Sequence, residues 1–223
     1  MNVTKLLKKE IKLETNLSMY CWLLCLFGFY YIPRYPVYIG CFYLTLAVMM
    51  TFSLNQVSHG IMYTVLLPVR KIDTVKARFL YCGLIELAFV PSAIIAAIIR
   101  HVCNYPLNPA GIDINVAYFG LQFMLLAVFN YIFLGGVSKD PLKPGIRFLL
   151  GAIAYFVIYA LVEIPIWIFR AGTDFKLGGY LDMMDFAGQL KQIPVLAGGT
   201  IIWSLSWLVT FRRAARQFEK YDM

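Results

Sequence analysis

The sequence predicts an all-α, polytopic integral membrane protein, and three observations carry that expectation: an apolar composition, six long apolar runs, and a one-sided distribution of Lys and Arg. Of the 223 residues 61% are hydrophobic and 14% charged, with a mean hydropathy of +0.70. A soluble globular chain carries about 25% charged residues. A helix crossing the hydrocarbon needs about 20 mostly apolar residues, and runs at 17–33, 37–55, 79–100, 114–135, 146–169 and 193–211 meet that need. Backbone polar groups in lipid must be satisfied within a helix or by closure of a barrel, and these runs lack the alternation of barrel strands. A six-span bundle over 1–223 follows, forming a single transmembrane domain.

The first element, 1–16, reads as a helix with Lys5, Lys8, Lys9 and Lys12 on one face and Val3, Leu6, Leu7, Ile11 and Leu13 mostly on another. Such a helix lies in the cytoplasmic interface with its lysines near anionic headgroups, the alternative being a solvated charged tail. It is not read as a cleavable signal, because no small-residue cleavage pattern follows and the apolar run is long enough to span. Basic residues near span ends are retained on the cytoplasmic side. One side collects Lys5, Lys8, Lys9, Lys12, Arg70, Lys71, Lys76, Arg78, Lys139, Lys143, Arg147, Arg212, Arg213, Arg216 and Lys220, which is 15 of the 20 basic residues; Arg34, Arg100, Arg170, Lys176 and Lys191 fall on the other. Both termini are therefore expected in the cytoplasm of a plasma-membrane protein. The net charge of +8 is a topology signal, and nucleic acid is not an expected partner.

Catalytic signatures are missing from the sequence. It contains no phosphate loop of the Gly-x-x-x-x-Gly-Lys-Ser/Thr type, no His-Glu-x-x-His and no Gly-x-Ser-x-Gly. His59 and His101 fall on opposite sides in this topology, and Cys21, Cys25, Cys41, Cys82 and Cys103 make no metal motif. Neither a catalytic residue nor a metal ligand is assigned, and the chain is not expected to be an enzyme. Only Cys103 is expected to face the outside. Two carboxylates remain within the spans, Glu86 and Glu163, the latter followed by Pro165. Buried charge in lipid marks a bundle interior or a wet cavity, so each is either a structural partner or part of a translocation pathway, and Glu86 is also placed to reach a Lys or Arg at the interface.

The segment 56–78 is too polar to span and too apolar for a free loop. Val57, Ile61, Val65, Leu66 and Leu67 form one apolar side of a short helix, Pro68 ends it, and Arg70 to Arg78 lead into the third span. A short helix continuous with two spans is a lever that a cytoplasmic partner can push, the alternative being an interfacial loop anchored by Met62 and Tyr63. Between the fifth and sixth spans, 170–192 reads as an extracellular element that caps the bundle, with Leu177, Tyr180, Leu181 and Met184 on one helical side and Asp182 and Asp185 beside it. It is too apolar for a disordered loop.

The run Leu66-Leu67-Pro68-Val69-Arg70-Lys71-Ile72-Asp73-Thr74-Val75-Lys76-Ala77-Arg78 resembles the pattern that follows the coupling helix of type-2 ABC exporter permeases. More closely, it resembles the small six-span Gram-positive kind that includes phenol-soluble-modulin exporter and lantibiotic-immunity permeases. The tail Phe211 to Asp222 resembles that family's Phe-Glu-Lys-x-Asp ending. The chain departs from the pattern in having Asn55 and Gln56 where the family carries an acidic residue, and in lacking the Ser before Arg70. The resemblance implies that Ile61, Val65, Leu66, Leu67, Pro68, Arg70, Lys71 and Asp73 couple the permease to a separate cytoplasmic ABC ATPase. ATP and Mg would be bound by that subunit, with no cofactor on this chain. It also implies pairing with a second permease, identical or not, and export. Amphipathic or hydrophobic peptides are the expected substrates, for which 17 Phe, 15 Tyr and 9 Met offer an adaptable surface. The rival expectation is a secondary transporter or channel in which Glu86 and Glu163 bind protons or cations; it calls for paired broken helices in inverted repeats, which the sequence does not show.

Overall fold

A computed structural model describes residues 3–15, 17–57, 69–139 and 143–219. Among these residues every regular element is an α-helix: α1 Val3–Glu14, α2 Leu17–Phe29, α3 Val37–Val57, α4 Lys71–Leu87, α5 Phe89–Val102, α6 Val116–Val137, α7 Pro144–Arg170, α8 Lys176–Leu181, α9 Phe186–Lys191 and α10 Ile193–Glu219. Five helical stretches are long and apolar enough to cross a bilayer, with α4 and α5 counted as one stretch of 32 residues; α2 is a shorter apolar helix.

Two of the expected spans have different ends. The first stops at Phe29, because Tyr30 to Arg34 form turns and Tyr30 is buried against the bundle. The third begins eight residues earlier than its apolar run, at Lys71, since Lys76 is exposed and Arg78 is buried through a partner. Between α4 and α5 the helix is interrupted at Ala88, three residues before Pro91, whose missing N–H leaves the Leu87 carbonyl without its usual donor. Pro165 has no comparable effect, and α7 runs through it to Arg170.

Helix α6 is the centre. It is apolar on all sides, and its buried residues, among them Tyr118, Leu125, Phe129 and Phe133, point in every direction, as expected for a helix surrounded by others. On one side it packs on α7 through rings, with Phe129 and Phe133 against Phe148, and Phe42 of α3 joining Phe148, Tyr155 and Phe156. On another it meets α10 backbone to backbone: a methyl on Gly120 would strike the Val195 carbonyl, and one on Gly199 would strike the Gly120 carbonyl. Small residues of this kind let helices approach closely where lipid gives no hydrophobic drive. The opposite face of α10, with Ile201, Leu205 and Leu208, is exposed.

Side-chain contacts sort the helix ends into two groups. Glu10, Asn55, Gln56, Arg78, Ser138 and Phe218 surround one cavity, which puts α1, the end of α3, the start of α4 and the ends of α6 and α10 together. Arg100, Asn108, Asp113, Arg170 and Asp182 are joined at the opposite end. Arg78 thus lies at the first end, and Arg100 and Arg170 at the second.

Candidate functional site

Among the described residues, three polar clusters built around charged side chains interrupt the apolar packing. The first is at the base of α4. Arg70 is extended, at φ −69° and ψ 132°, and its carbonyl accepts from the Asp73 amide at 2.9 Å, so Arg70, Lys71 and Asp73 make the entry and first turn of α4. The Asp73 carboxylate stands where the helix dipole favours negative charge. Two turns on, Arg78 Nη1 donates to Glu10 Oε2 at 2.7 Å and Nη2 to Thr51 Oγ1 at 3.1 Å, with the guanidinium 4.3 Å from the centre of the Phe52 ring. One side chain thus ties α1, α3 and α4 together. Beside it lies an apolar cavity of about 100 Å³ that includes Phe52, Val75, Leu134 and Val137. Ile61, Val65, Leu66, Leu67 and Pro68, expected to couple to a partner, lie outside the described residues, as do His59 and the last residues of the tail.

The second cluster surrounds Glu86, fully buried at the last turn of α4 before the break. Its Oε2 accepts from Asn130 Nδ2 of α6 at 2.8 Å and from Trp203 Nε1 of α10 at 3.3 Å. The described partners of Glu86 are therefore neutral donors from two neighbouring helices, in place of an interfacial Lys or Arg. Arg78, Cys82 and Glu86, spaced by four, form a single buried line along α4.

The third cluster closes the other end. Both Glu163 carboxylate oxygens lie 3.3 Å from the Ile112 amide, and a methyl on Gly111 would come within 2.5 Å of Oε2. Glu163 thus seats the α5–α6 loop on α7, helped by Trp167 Nε1 donating to the Ala110 carbonyl at 3.1 Å. Arg170 donates to Asp182 at 2.7 and 2.9 Å and to the Asn108 carbonyl at 2.6 Å; Arg100 donates to Asp113 at 2.8 Å and to the carbonyls of Tyr30 and Pro106. Asn115 and Gln192 complete the cap by holding the backbone of Tyr180, Leu181 and Met183. The 170–192 element is two short helices and not one: Asp182 turns away to pair with Arg170, and Asp185 starts α9 by accepting from the Gly188 amide at 3.0 Å. Met184 consequently does not share a helix face with Leu177, which is exposed.

Glu86 and Glu163 are not brought into one site. Sequence reasoning missed Glu10, Asn130, Asp113 and Arg100 as functional partners. Only Glu10 carried a local signal, being the acidic residue four positions after Leu6 on the face of α1 that is buried.

The fold and these clusters define a multi-pass helical membrane protein. Residues 5–212 match the family described as ABC-2 family transporter protein, and the chain belongs to that family. It is the membrane-spanning permease of an ABC transporter, with a separate ATPase as partner. No curated protein and no solved structure matches the chain.

Proposed function

We propose that this permease exports amphipathic or hydrophobic peptides, as one half of a permease pair served by two cytoplasmic ATPase subunits that bind ATP and Mg. Both termini and the base of α4 lie on the cytoplasmic side and the Arg170–Asp182 cap outside, a reading supported by the 15-to-5 division of basic residues. The segment 55–68 receives the push of the closing ATPases. The observation that carries the coupling is the bond from Arg78 of α4 to Thr51 of α3: the two helices that the segment joins are tied at that end, so a displacement there moves them as a unit. Of the two in-span carboxylates, Glu86 is the candidate for the translocation path, since it sits among three helices at a helix break, and Glu163 holds the cap.

The test is capture of the ATPase subunit, with its hydrolysis rate in lipid, by wild type and by Ile61→Asp, Val65→Asp, Arg70→Ala and Lys71→Ala. Charge on the apolar side of a docking helix removes the contacts that dominate an interface, whereas single rim charges contribute little. The aspartate variants are expected to insert normally and lose the ATPase, and the alanine variants to keep it. Normal association and regulation in both aspartate variants removes the coupling reading.

A further inference from the structure

Helix α1 has two sides with opposite chemistry. Its inner side is fixed to the bundle: Leu6 is buried, Glu10 is held by Arg78, and just beyond the helix Thr15 Oγ1 and Tyr81 OH of α4 are 2.6 Å apart. Lys9 leans on Glu10 at 3.5 Å. The outer side carries Lys5, Lys8 and Lys12, all exposed and, at 100° per residue, within one narrow arc. Ile11 and Leu13 of α1 and Leu17 at the start of α2 are exposed as well. A cationic arc bordered by exposed apolar residues, on a helix lying where spans leave the bilayer, is the chemistry of a surface that rests on anionic headgroups. Twelve residues are marginal as an isolated helix. The seating of α1 therefore depends on what holds each side.

We propose that α1 is a lipid-charge sensor: anionic phospholipid headgroups on the Lys5, Lys8 and Lys12 arc keep α1 seated, and the Glu10–Arg78–Thr51 clamp passes that seating to the first turns of α4. The ligand is the phosphate-bearing headgroup of a membrane lipid. The binding half stands on α1 alone; its consequence for transport rests on the coupling reading above. Arg78 is the pivot, because it joins Glu10 of α1 to Thr51 of α3, and a detached α1 takes Glu10 with it.

Backbone hydrogen exchange of the full-length permease in nanodiscs tests this without the ATPase, so its failure is distinct from failure of the coupling reading. Phosphatidylcholine discs are compared with discs of phosphatidylcholine mixed with phosphatidylglycerol. Near an anionic surface each lysine contributes roughly a five-fold factor in binding, so the amides of α1 are expected to exchange at least about ten-fold more slowly with phosphatidylglycerol present. The variant Lys5→Gln/Lys8→Gln/Lys12→Gln should abolish the difference while the α6 amides stay protected as in wild type. In Glu10→Gln the α1 amides should still respond to lipid charge while residues 71–78 no longer follow. Equal protection of α1 in the two lipids overturns the sensor. A response of α1 that never reaches residues 71–78 in wild type overturns the clamp. A lipid response that survives in the triple variant assigns it to another surface and overturns the lysine arc.

Discussion

The two ends of the bundle are each tied by a buried arginine, but in different ways. At the cap end Arg100 is enclosed by Asp113 and the carbonyls of Tyr30 and Pro106, while Arg170 reaches Asp182 and Asn108, so several segments converge on fixed backbone. At the base Arg78 holds Glu10, a side chain of the twelve-residue helix α1, and Thr51 of α3, and each end has a cavity beside its arginine. The cap arginines are held largely by backbone carbonyls of separate segments; the base arginine is held by side chains of two other helices. Under the coupling proposed above, the push falls on the end whose arginine is tied to side chains of α1 and α3.

The largest expected effect comes from breaking the stitched end. Arg100→Met leaves the Asp113 carboxylate buried without its cation, a loss of about 3 kcal/mol or more, read as unfolding free energy in detergent. Arg78→Met should cost less, about 1 kcal/mol, because α1 can swing away and return Glu10 to water. Equal losses at the two ends would erase the distinction between them. Next is Gly111→Ala, whose methyl would come within 2.5 Å of the Glu163 carboxylate; overpacking of this kind costs about 1–3 kcal/mol. Adding Glu163→Ala makes room, so the double variant should recover part of the loss, and strict additivity would remove Glu163 from the cap.

Between the two ends, Glu86→Gln keeps an acceptor for Asn130 and Trp203 and should stay within about 1 kcal/mol of wild type. Glu86→Leu strands both donors and should cost about 1–3 kcal/mol. Transport lost in Glu86→Gln at unchanged stability would place the carboxyl on the path. The smallest effect is none on stability: Cys103 is exposed at the cap end, so a membrane-impermeant thiol reagent should label it on intact cells. Labelling only after permeabilisation reverses the orientation.

The apolar runs made the long helices legible, because hydrocarbon leaves a helix few alternatives and its length is set by the bilayer. Their ends were less so. Charge stopped the predicted third span at Phe79, yet Arg78 is buried because its partner, Glu10, comes from 68 residues away; a pairing at that separation leaves no mark on local periodicity. The 170–192 element misled for a related reason. Its apolar spacing suited one helix, and the break comes from Asp182 being drawn to Arg170 on α7. Glu86 and Glu163 stood out as charges in lipid, but identical chemistry gave them different surroundings, two neutral side-chain donors for one and a loop amide for the other.

The glycine contact between α6 and α10 has a consequence for how the chain is made. Helices α6 and α7 are neighbours in sequence and pair through rings, whereas the partner of Gly120 is Gly199 in α10, which is made after both. Until then the notch on α6 is open to lipid, and Glu86 lacks the indole of Trp203. Docking of α10 therefore does two things at once: it fills the notch on α6 and brings the Trp203 indole to Glu86.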